Sequence, residues 1–322
     1  MSLGSKNLTI YNDDVEKWTI SAEDYVKNQI KEIEKWLEVH IMKLKTRASA
    51  VLPSNYRPEF DNTEYCDADL LHVYQQKIGV LRWAVELGQI NITAEVSMLA
   101  AYCAAPRIGH FNAMLHIFAF LKLHPRCRMV FDNSYVPIQT SSDENFLEFY
   151  PNAQEEIPPN APEERGKAVQ MIAFSDSDHA GDLLTRRSRT GVLIFLNRSP
   201  IIWYSKKQSC IETSTFGSEF MALKTATDLV KGLCYKLRKM GIPLDGPTHI
   251  KVDNMSVFHN ATKPESVLKK KSNSIAYHYV RENVAAGVIK VGWESTDTNL
   301  ADMLTKVQTG PVRKRLADMV LY

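Results

Sequence analysis

The sequence has no long apolar run and few cysteines. Its 322 residues are 44% hydrophobic and 24% charged, a composition typical of soluble globular proteins. No window approaches the roughly 18 apolar residues of a membrane span, and the first residues lack the apolar segment of a signal peptide. These absences lead us to expect an intracellular protein that has no membrane partner.

The five cysteines include no C-x-x-C pair. Such scattered cysteines favour free thiols in a reducing compartment over a disulfide framework or a zinc site.

The net charge of +2 hides an asymmetry. From Gly166 onward the chain has 23 Lys+Arg and 14 Asp+Glu, a net +9, whereas the residues before it have a net −7. A basic half suits a polyanionic partner. A merely basic surface is the alternative.

Periodic apolar residues predict a mainly α first half. A strand ends at Ile20, and Ser21 is predicted to cap a helix with one apolar face formed by Val26, Ile30, Ile33 and Leu37. Further helices are predicted over 67–87, 91–104 and 112–123, followed by a strand over 128–131. Residues 132–166 contain five prolines and eight acids, which predicts a linker or a long exposed connection.

The second half alternates between strands and helices, which predicts a mixed sheet with packed helices. Strands are predicted over 169–176, 191–196, 200–205, 247–253 and 287–294. Helices are predicted over 215–239, 254–261, 273–285 and 299–306.

Four acids stand where these elements begin or end. Asp176 and Asp253 end predicted strands, Glu219 lies on the apolar stripe of the long helix, and Asp302 lies early in the last helix. Converging carboxylates repel each other unless cations separate them, so two divalent metal ions are predicted here, suited to phosphodiester hydrolysis. The alternatives are that Asp253 caps a helix, that Asp302 complements a helix dipole and that Glu219 is a surface residue.

Motifs in the second half resemble the ribonuclease H domain of copia-type (Ty1/copia, Pseudoviridae) retrotransposon Pol polyproteins. They are FSDSDHAGD at 174–182, RRSRTG at 186–191, WYSKKQ at 203–208, STFGSEF at 214–220, VDN at 252–254, YHYVRE at 277–282 and NLADMLTK at 299–306. The first half resembles the region after the reverse transcriptase palm, the thumb and connection. Its motifs are YRPE at 56–59, YQQKIGVLRW at 74–83, EVSML at 95–99 and HIFAFLK at 116–122.

The resemblance implies an α/β fold in the second half, with a ribonuclease H-like mixed five-stranded sheet and flanking helices. The implied domains are a mainly α reverse transcriptase remnant at 1–131, the linker at 132–166 and the ribonuclease H-like domain at 167–322.

The resemblance also implies a function. Asp176, Glu219, Asp253 and Asp302 would bind two Mg²⁺ ions, with Mn²⁺ as a substitute, and cleave the RNA strand of RNA–DNA hybrids during retrotransposition. The expected products carry a 5′ phosphate and a 3′ hydroxyl. The expected partners are the hybrid and the rest of the polyprotein (palm, fingers and integrase), and the expected location is a cytoplasmic virus-like particle or the nucleus.

Two other functions stay open. One is a catalytically silent nucleic-acid-binding or scaffolding remnant, and the other is a related nuclease such as an integrase. The YNDD sequence at 11–14 mimics a polymerase motif, but it matches a variable hairpin downstream of the palm, so no polymerase activity is expected from this chain alone.

Two histidines and a set of polar and basic residues also receive predicted roles. His179 is interpreted as a loop or packing residue, and His278 as a helix residue near substrate. The candidate phosphate contacts, which would add affinity without sequence specificity, are Arg186, Arg187, Lys206, Lys207, Asn254, Lys269, Lys270 and Lys271.

Overall fold

The structure is a computed structural model that describes residues 6–12, 15–137, 146–268 and 271–321. The chain divides into two units. The first comprises residues 1–131, 182–184 and 306–322, and the second comprises residues 132–181 and 185–305. This division assigns the predicted linker residues to the second unit, and it assigns residues 182–184 and 306–322 of the predicted C-terminal domain to the first.

The first unit combines helices with a small antiparallel sheet of order β1-β2-β3. Its elements up to residue 131 are β1 (Lys6–Asn12), β2 (Val15–Ser21), α1 (Glu23–Val39), α2 (Ala68–Glu86), α3 (Thr93–Ala100), α4 (Ile108–Leu123) and β3 (Arg128–Phe131). Strand β1 was not predicted from the sequence. Asp13 and Asp14 of the YNDD sequence lie outside the described residues.

Helix α1 has the predicted apolar face, and all four of its residues are buried. The predicted cap was wrong, because Ala22 occupies the N-cap position. Ser21 instead ends β2, where it pairs with Arg128 of β3. Its hydroxyl donates to the Cys127 carbonyl at 3.2 Å and accepts from the Glu23 amide at 3.2 Å.

The second unit contains a five-stranded sheet and the helices packed on it. Its elements are β4 (Met171–Asp178), β5 (Arg189–Leu196), β6 (Ser199–Lys207), α5 (Thr215–Lys239), β7 (Thr248–Val252), α6 (Met255–Thr262), α7 (Ser274–Ala285) and β8 (Ile289–Trp293). A short 3-10 helix, Leu300–Leu304, stands where the last helix was predicted. The final helix, α8 (Gly310–Asp318), belongs to the first unit.

The sheet has the strand order β6-β5-β4-β7-β8. Strands β4, β5 and β6 pair antiparallel, whereas β7 pairs parallel with both β4 and β8. Helix α5 buries Phe220, Leu223, Ala226 and Val230 in one core with sheet residues such as Ala173 and Ile250. The predicted α/β class, a mixed five-stranded sheet with flanking helices, is therefore confirmed.

The described part of the predicted linker is held on the second unit. Phe146 is buried, and the Tyr135 hydroxyl donates to the Ala168 carbonyl at 2.7 Å. Arg238 of α5 forms ion pairs with Glu155 at 2.7 Å and Glu164 at 3.0 Å. The acids that suggested an exposed linker are thus partly paired with a cation of the long helix.

None of the described helices combines the length and apolar character needed to cross a membrane.

Candidate metal centre

Asp176 and Asp253 lie at the same edge of the sheet. Strands β4 and β7 are parallel neighbours, with Phe174 opposite Lys251. Continuing this register by two residues sets Asp176 beside Asp253, because parallel strands carry their carboxyl ends to the same edge. The pairing of two strands thus brings together two acids that are far apart in sequence.

Glu219 reaches the same edge from helix α5. The helix begins at Thr215, and the Ser214 side chain caps it by accepting from the Gly217 amide at 3.1 Å. Glu219 lies near this end, and its Oε2 accepts a hydrogen bond from the Ser177 amide at 3.1 Å. That bond ties the helix to β4 one residue beyond Asp176.

Asp176, Glu219 and Asp253 form a cluster, which we call the carboxylate cluster. One ligand oxygen from each lies within 4.8 Å of the other two. Asp176 is 4% exposed and Glu219 9% exposed, so water screens their charges poorly. An oxygen-only donor set of this kind fits a hard divalent cation such as Mg²⁺ or Mn²⁺ better than zinc or copper.

Asp302 is not part of the carboxylate cluster among the described residues. It lies buried in the 3-10 helix Leu300–Leu304, whose first turn is capped when the Asn299 side chain accepts from the Ala301 amide at 3.2 Å. The Asn299 amide group also donates to the Ser175 carbonyl at 3.1 Å. The 3-10 helix therefore packs beside the acid-bearing strand, and the assignment of Asp302 as a ligand stays a prediction.

The structure decides two of the three alternatives for these acids. Asn254, not Asp253, caps α6 by accepting from the Ser256 and Val257 amides at 3.0 and 3.2 Å. Glu219 is buried rather than a surface residue. Asp302 does lie in the first turn of its short helix, so the helix-dipole interpretation stays open.

Neighbouring polar side chains have structural partners. Asp178 accepts a hydrogen bond from the Arg189 amide, and His179 Nδ1 lies 3.3 Å from the Ser218 hydroxyl. His278 on α7 is hydrogen-bonded to the Tyr150 hydroxyl at 2.8 Å. None of these three residues belongs to the carboxylate cluster within the described part of the chain.

Sequence reasoning missed the contribution of Thr305. Its hydroxyl donates to Asp176 Oδ2 at 2.7 Å, which helps to fix the orientation of a buried carboxylate. The only sequence signal was its place in the motif at 299–306, and a threonine there is equally consistent with a helix end.

The Gln208 side chain joins the sheet to α5. Its amide nitrogen donates to the Thr190 hydroxyl and to the Ser218 carbonyl, both at 3.0 Å. The last residue of the WYSKKQ motif thus helps to hold the start of the helix that presents Glu219.

The candidate phosphate contacts are mostly exposed. Arg186, Arg187, Lys206 and Lys271 are exposed, and Lys207 is half-buried. The Asn254 side-chain oxygen is used in the α6 cap, while Lys269 and Lys270 lie outside the described residues. These contacts stay predictions.

Comparison with known proteins shows which proteins the chain is similar to. The chain is 32% identical over 142 residues to the retrovirus-related Pol polyprotein from transposon RE2 of Arabidopsis thaliana, covering 44% of this chain and 10% of the relative. It is 34% identical over 147 residues to the corresponding polyprotein from transposon TNT 1-94 of Nicotiana tabacum, covering 42% of this chain and 10% of the relative. This chain is related to the Pol polyproteins of copia-type retrotransposons. It spans about a tenth of the length of these curated relatives.

No protein-family model matches this relative of the copia-type Pol polyproteins. Among solved structures, it is similar to LC11-RNase H1 in complex with an RNA/DNA hybrid, at 15% identity and a TM-score of 0.35, covering 42% of this chain and 94% of that one. The fold assignment rests on the strand order and packed helices described above.

Proposed function

We propose that the second unit is a divalent-metal-dependent ribonuclease H that cleaves the RNA strand of RNA–DNA hybrids within a copia-type Pol protein. The single observation that carries this proposal is the carboxylate cluster, with three acids within 4.8 Å at one sheet edge. The activity would belong to retrotransposition, inside a cytoplasmic virus-like particle or the nucleus, with the palm, fingers and integrase as partners.

The cluster fits Mg²⁺, or Mn²⁺ in its place, because every donor is a carboxylate oxygen. Asp176 and Asp253 would hold the cation from two strands, and Glu219 would hold it from the helix, with Asp302 as the proposed fourth ligand. When bound, two such ions would supply an activated water and neutralise charge on the scissile phosphate.

Surrounding residues would keep these carboxylates in place. The Ser177 amide fixes Glu219 at 3.1 Å, and the Thr305 hydroxyl fixes Asp176 at 2.7 Å. Such partners of metal ligands set their orientation and affinity. The exposed Arg186, Arg187 and Lys206 would contact phosphates without reading sequence, which suits a hybrid recognised by its shape and 2′-hydroxyls.

The test is cleavage of an end-labelled RNA–DNA hybrid by the full chain with Mg²⁺, Mn²⁺ or EDTA. Asp176→Asn and Glu219→Gln should each reduce the rate by about a hundredfold or more, since each removes an anionic ligand of the proposed cation, whose charge would stabilise the scissile phosphate. Matched controls are Asp178→Asn, two residues along the same strand, and Asp228→Asn on the same helix, where the acid pairs with Lys224 at 2.6 Å. Both controls should cut at the wild-type rate.

The outcomes separate the rival functions. Products with a 5′ phosphate and a 3′ hydroxyl on RNA support the proposal. Salt-dependent hybrid binding without turnover would instead identify a silent nucleic-acid-binding remnant, and cleavage of duplex DNA would identify an integrase-like nuclease. Equal cutting by wild type and Asp176→Asn would refute the role of the cluster.

A further inference from the structure

A cavity of about 740 Å³ lies within the first unit. It is lined by the end of α4, by the residues that precede β3 and by α8. Its charged lining is mainly cationic, with Arg126, Arg313 and Lys314 against the single acid Asp318. An excess of positive charge around one concave site favours an anionic occupant.

Arg313 is the most informative of these residues. It is only 7% exposed, and its guanidinium lies 4.4 Å from the centre of the Phe120 ring. Its Nη1 is buried and has no hydrogen-bond partner among the described residues. Burial lowers the pKa of Arg313, an effect that the negative charge of Glu95 opposes.

A second polar group of a lining residue is also unsatisfied. The side-chain oxygen of Asn91 is buried and has no partner among the described residues, and Asn91 lines the cavity. Buried polar groups are normally hydrogen-bonded, and a buried donor or acceptor without a hydrogen-bond partner is costly. Arg313 Nη1 is therefore a donor that the described residues leave unsatisfied, in a residue that lines the cavity together with the exposed cations Arg126 and Lys314.

We propose that this cavity binds the phosphate group of a nucleoside phosphate. Arginine presents several N–H donors in a planar fork that matches phosphate oxygens, and Lys314 and Arg126 are exposed, so they can add charge at the mouth. The volume lies within the range of small-molecule sites, and Phe120, Pro311 and Leu321 provide an apolar wall for a base or sugar. No residue of the carboxylate cluster takes part, so the proposal goes beyond the nuclease function.

The experiment is calorimetric titration of the full chain, in EDTA, with inorganic phosphate, adenosine monophosphate and a 5′-phosphorylated trinucleotide. EDTA removes divalent ions, so neither cleavage nor binding through the carboxylate cluster contributes. The three probes distinguish a bare phosphate, a free nucleotide and the end of a nucleic-acid strand as the source of the phosphate.

Three variants and one control accompany the wild type. Arg313→Met keeps an apolar stem but removes the donors, and it should weaken binding of adenosine monophosphate by at least about tenfold. Lys314→Glu and Arg126→Gln change exposed lining residues and should weaken it by roughly threefold to tenfold. Arg315→Gln, on the same helix but outside the lining, should bind as the wild type does.

The experiment tests the proposal even if Arg313→Met fails to fold, because the variants at the exposed residues Lys314 and Arg126 can still be measured. Saturable binding of adenosine monophosphate that weakens in Lys314→Glu and Arg126→Gln supports the proposal. If the trinucleotide binds more tightly than adenosine monophosphate and is also weakened by Lys314→Glu and Arg126→Gln, the phosphate site is supported. The natural phosphate would then come from the end of a nucleic-acid strand. Absence of saturable binding by all three probes, or equal binding by all variants, would overturn it.

Discussion

The Thr305 hydroxyl donates a hydrogen bond to Oδ2 of Asp176 at 2.7 Å. The hydroxyl oxygen of Thr305 also lies 3.0 Å from the carbonyl oxygen of Asp302. One side chain thus connects the strand that carries a buried acid of the carboxylate cluster to the 3-10 helix that carries Asp302. The position of the fourth predicted acid is therefore coupled to the orientation of the first.

Thr305→Val should weaken the metal site without removing a ligand. The substitution deletes the donor to Asp176 at nearly constant volume, so we expect affinity for Mn²⁺ to fall by roughly tenfold to a hundredfold. Isothermal titration with Mn²⁺ measures this loss. Thr305→Ser keeps the hydroxyl and should restore most of the affinity, which a purely steric role for the methyl group would not allow.

Gly191→Ala should displace the 3-10 helix. A Cβ at residue 191 would lie 2.7 Å from the Ala301 carbonyl oxygen and 3.0 Å from Leu304 Cβ. Because backbone must move to relieve this overlap, we expect a loss of about 1–3 kcal/mol in the free energy of unfolding, together with weaker metal binding. Urea titration gives the free energy.

Gly232→Ala is the matched control for Gly191. Gly232 lies inside α5, and a Cβ there meets nothing within 4 Å. This change should raise the free energy of unfolding by about 0.5–1 kcal/mol, because alanine favours a helix over glycine. Equal effects of the two substitutions would contradict the close approach at Gly191.

Arg238→Gln should loosen the segment that the sequence identified as a linker. Arg238 and Glu155 form a two-pronged ion pair, with both distances 2.7 Å and both side chains 22% exposed. We expect a loss of about 1 kcal/mol, reduced by high salt, and faster proteolysis between residues 146 and 166. Lys224→Gln, which breaks the more exposed pair with Asp228, should leave the proteolysis rate unchanged.

The five cysteines, all free thiols, should differ sharply in reactivity. Burial raises the pKa of Cys127 to about 12 and that of Cys234 to about 11. Since the thiolate is the reactive form, neither should react with a maleimide at a pH of about 8 until the protein unfolds. The exposed Cys210 should react before both, as peptide mass spectrometry can show. Rapid labelling of Cys127 in the folded protein would contradict its burial.

Much of the second unit could be predicted from apolar periodicity. The long helix was predicted over 215–239 and is found as Thr215–Lys239. The prediction was possible because the apolar stripe of the helix spans many residues and its N-cap residue directly precedes it in sequence. Glu219 could be placed on the buried face for the same reason. The adjacency of Asp176 and Asp253 depended on a strand pairing that periodicity does not specify, and the resemblance to a known family supplied it.

Other features depended on contacts that a local pattern does not reveal. Residues 146–166 have the composition of a linker, yet the buried Phe146 and the partners of Arg238 hold them on the second unit. The C-terminal helix α8 buries Leu316 in the first unit. A local sequence pattern could not predict this, because α8 is far in sequence from the other helices of that unit. Asp302 lies in a 3-10 helix rather than the predicted longer helix, with Asn299 capping its tight first turn.

The most direct test of the metal centre is titration with Mn²⁺, followed by electron paramagnetic resonance of the free ion. We expect wild-type protein to bind Mn²⁺ saturably, Mg²⁺ to displace it, and Asp228→Asn to behave as the wild type does. Asp176→Asn and Glu219→Gln should each lose this binding, because each removes one anionic ligand of a site that has three within 4.8 Å. Unchanged Mn²⁺ binding in both of these variants would contradict the account.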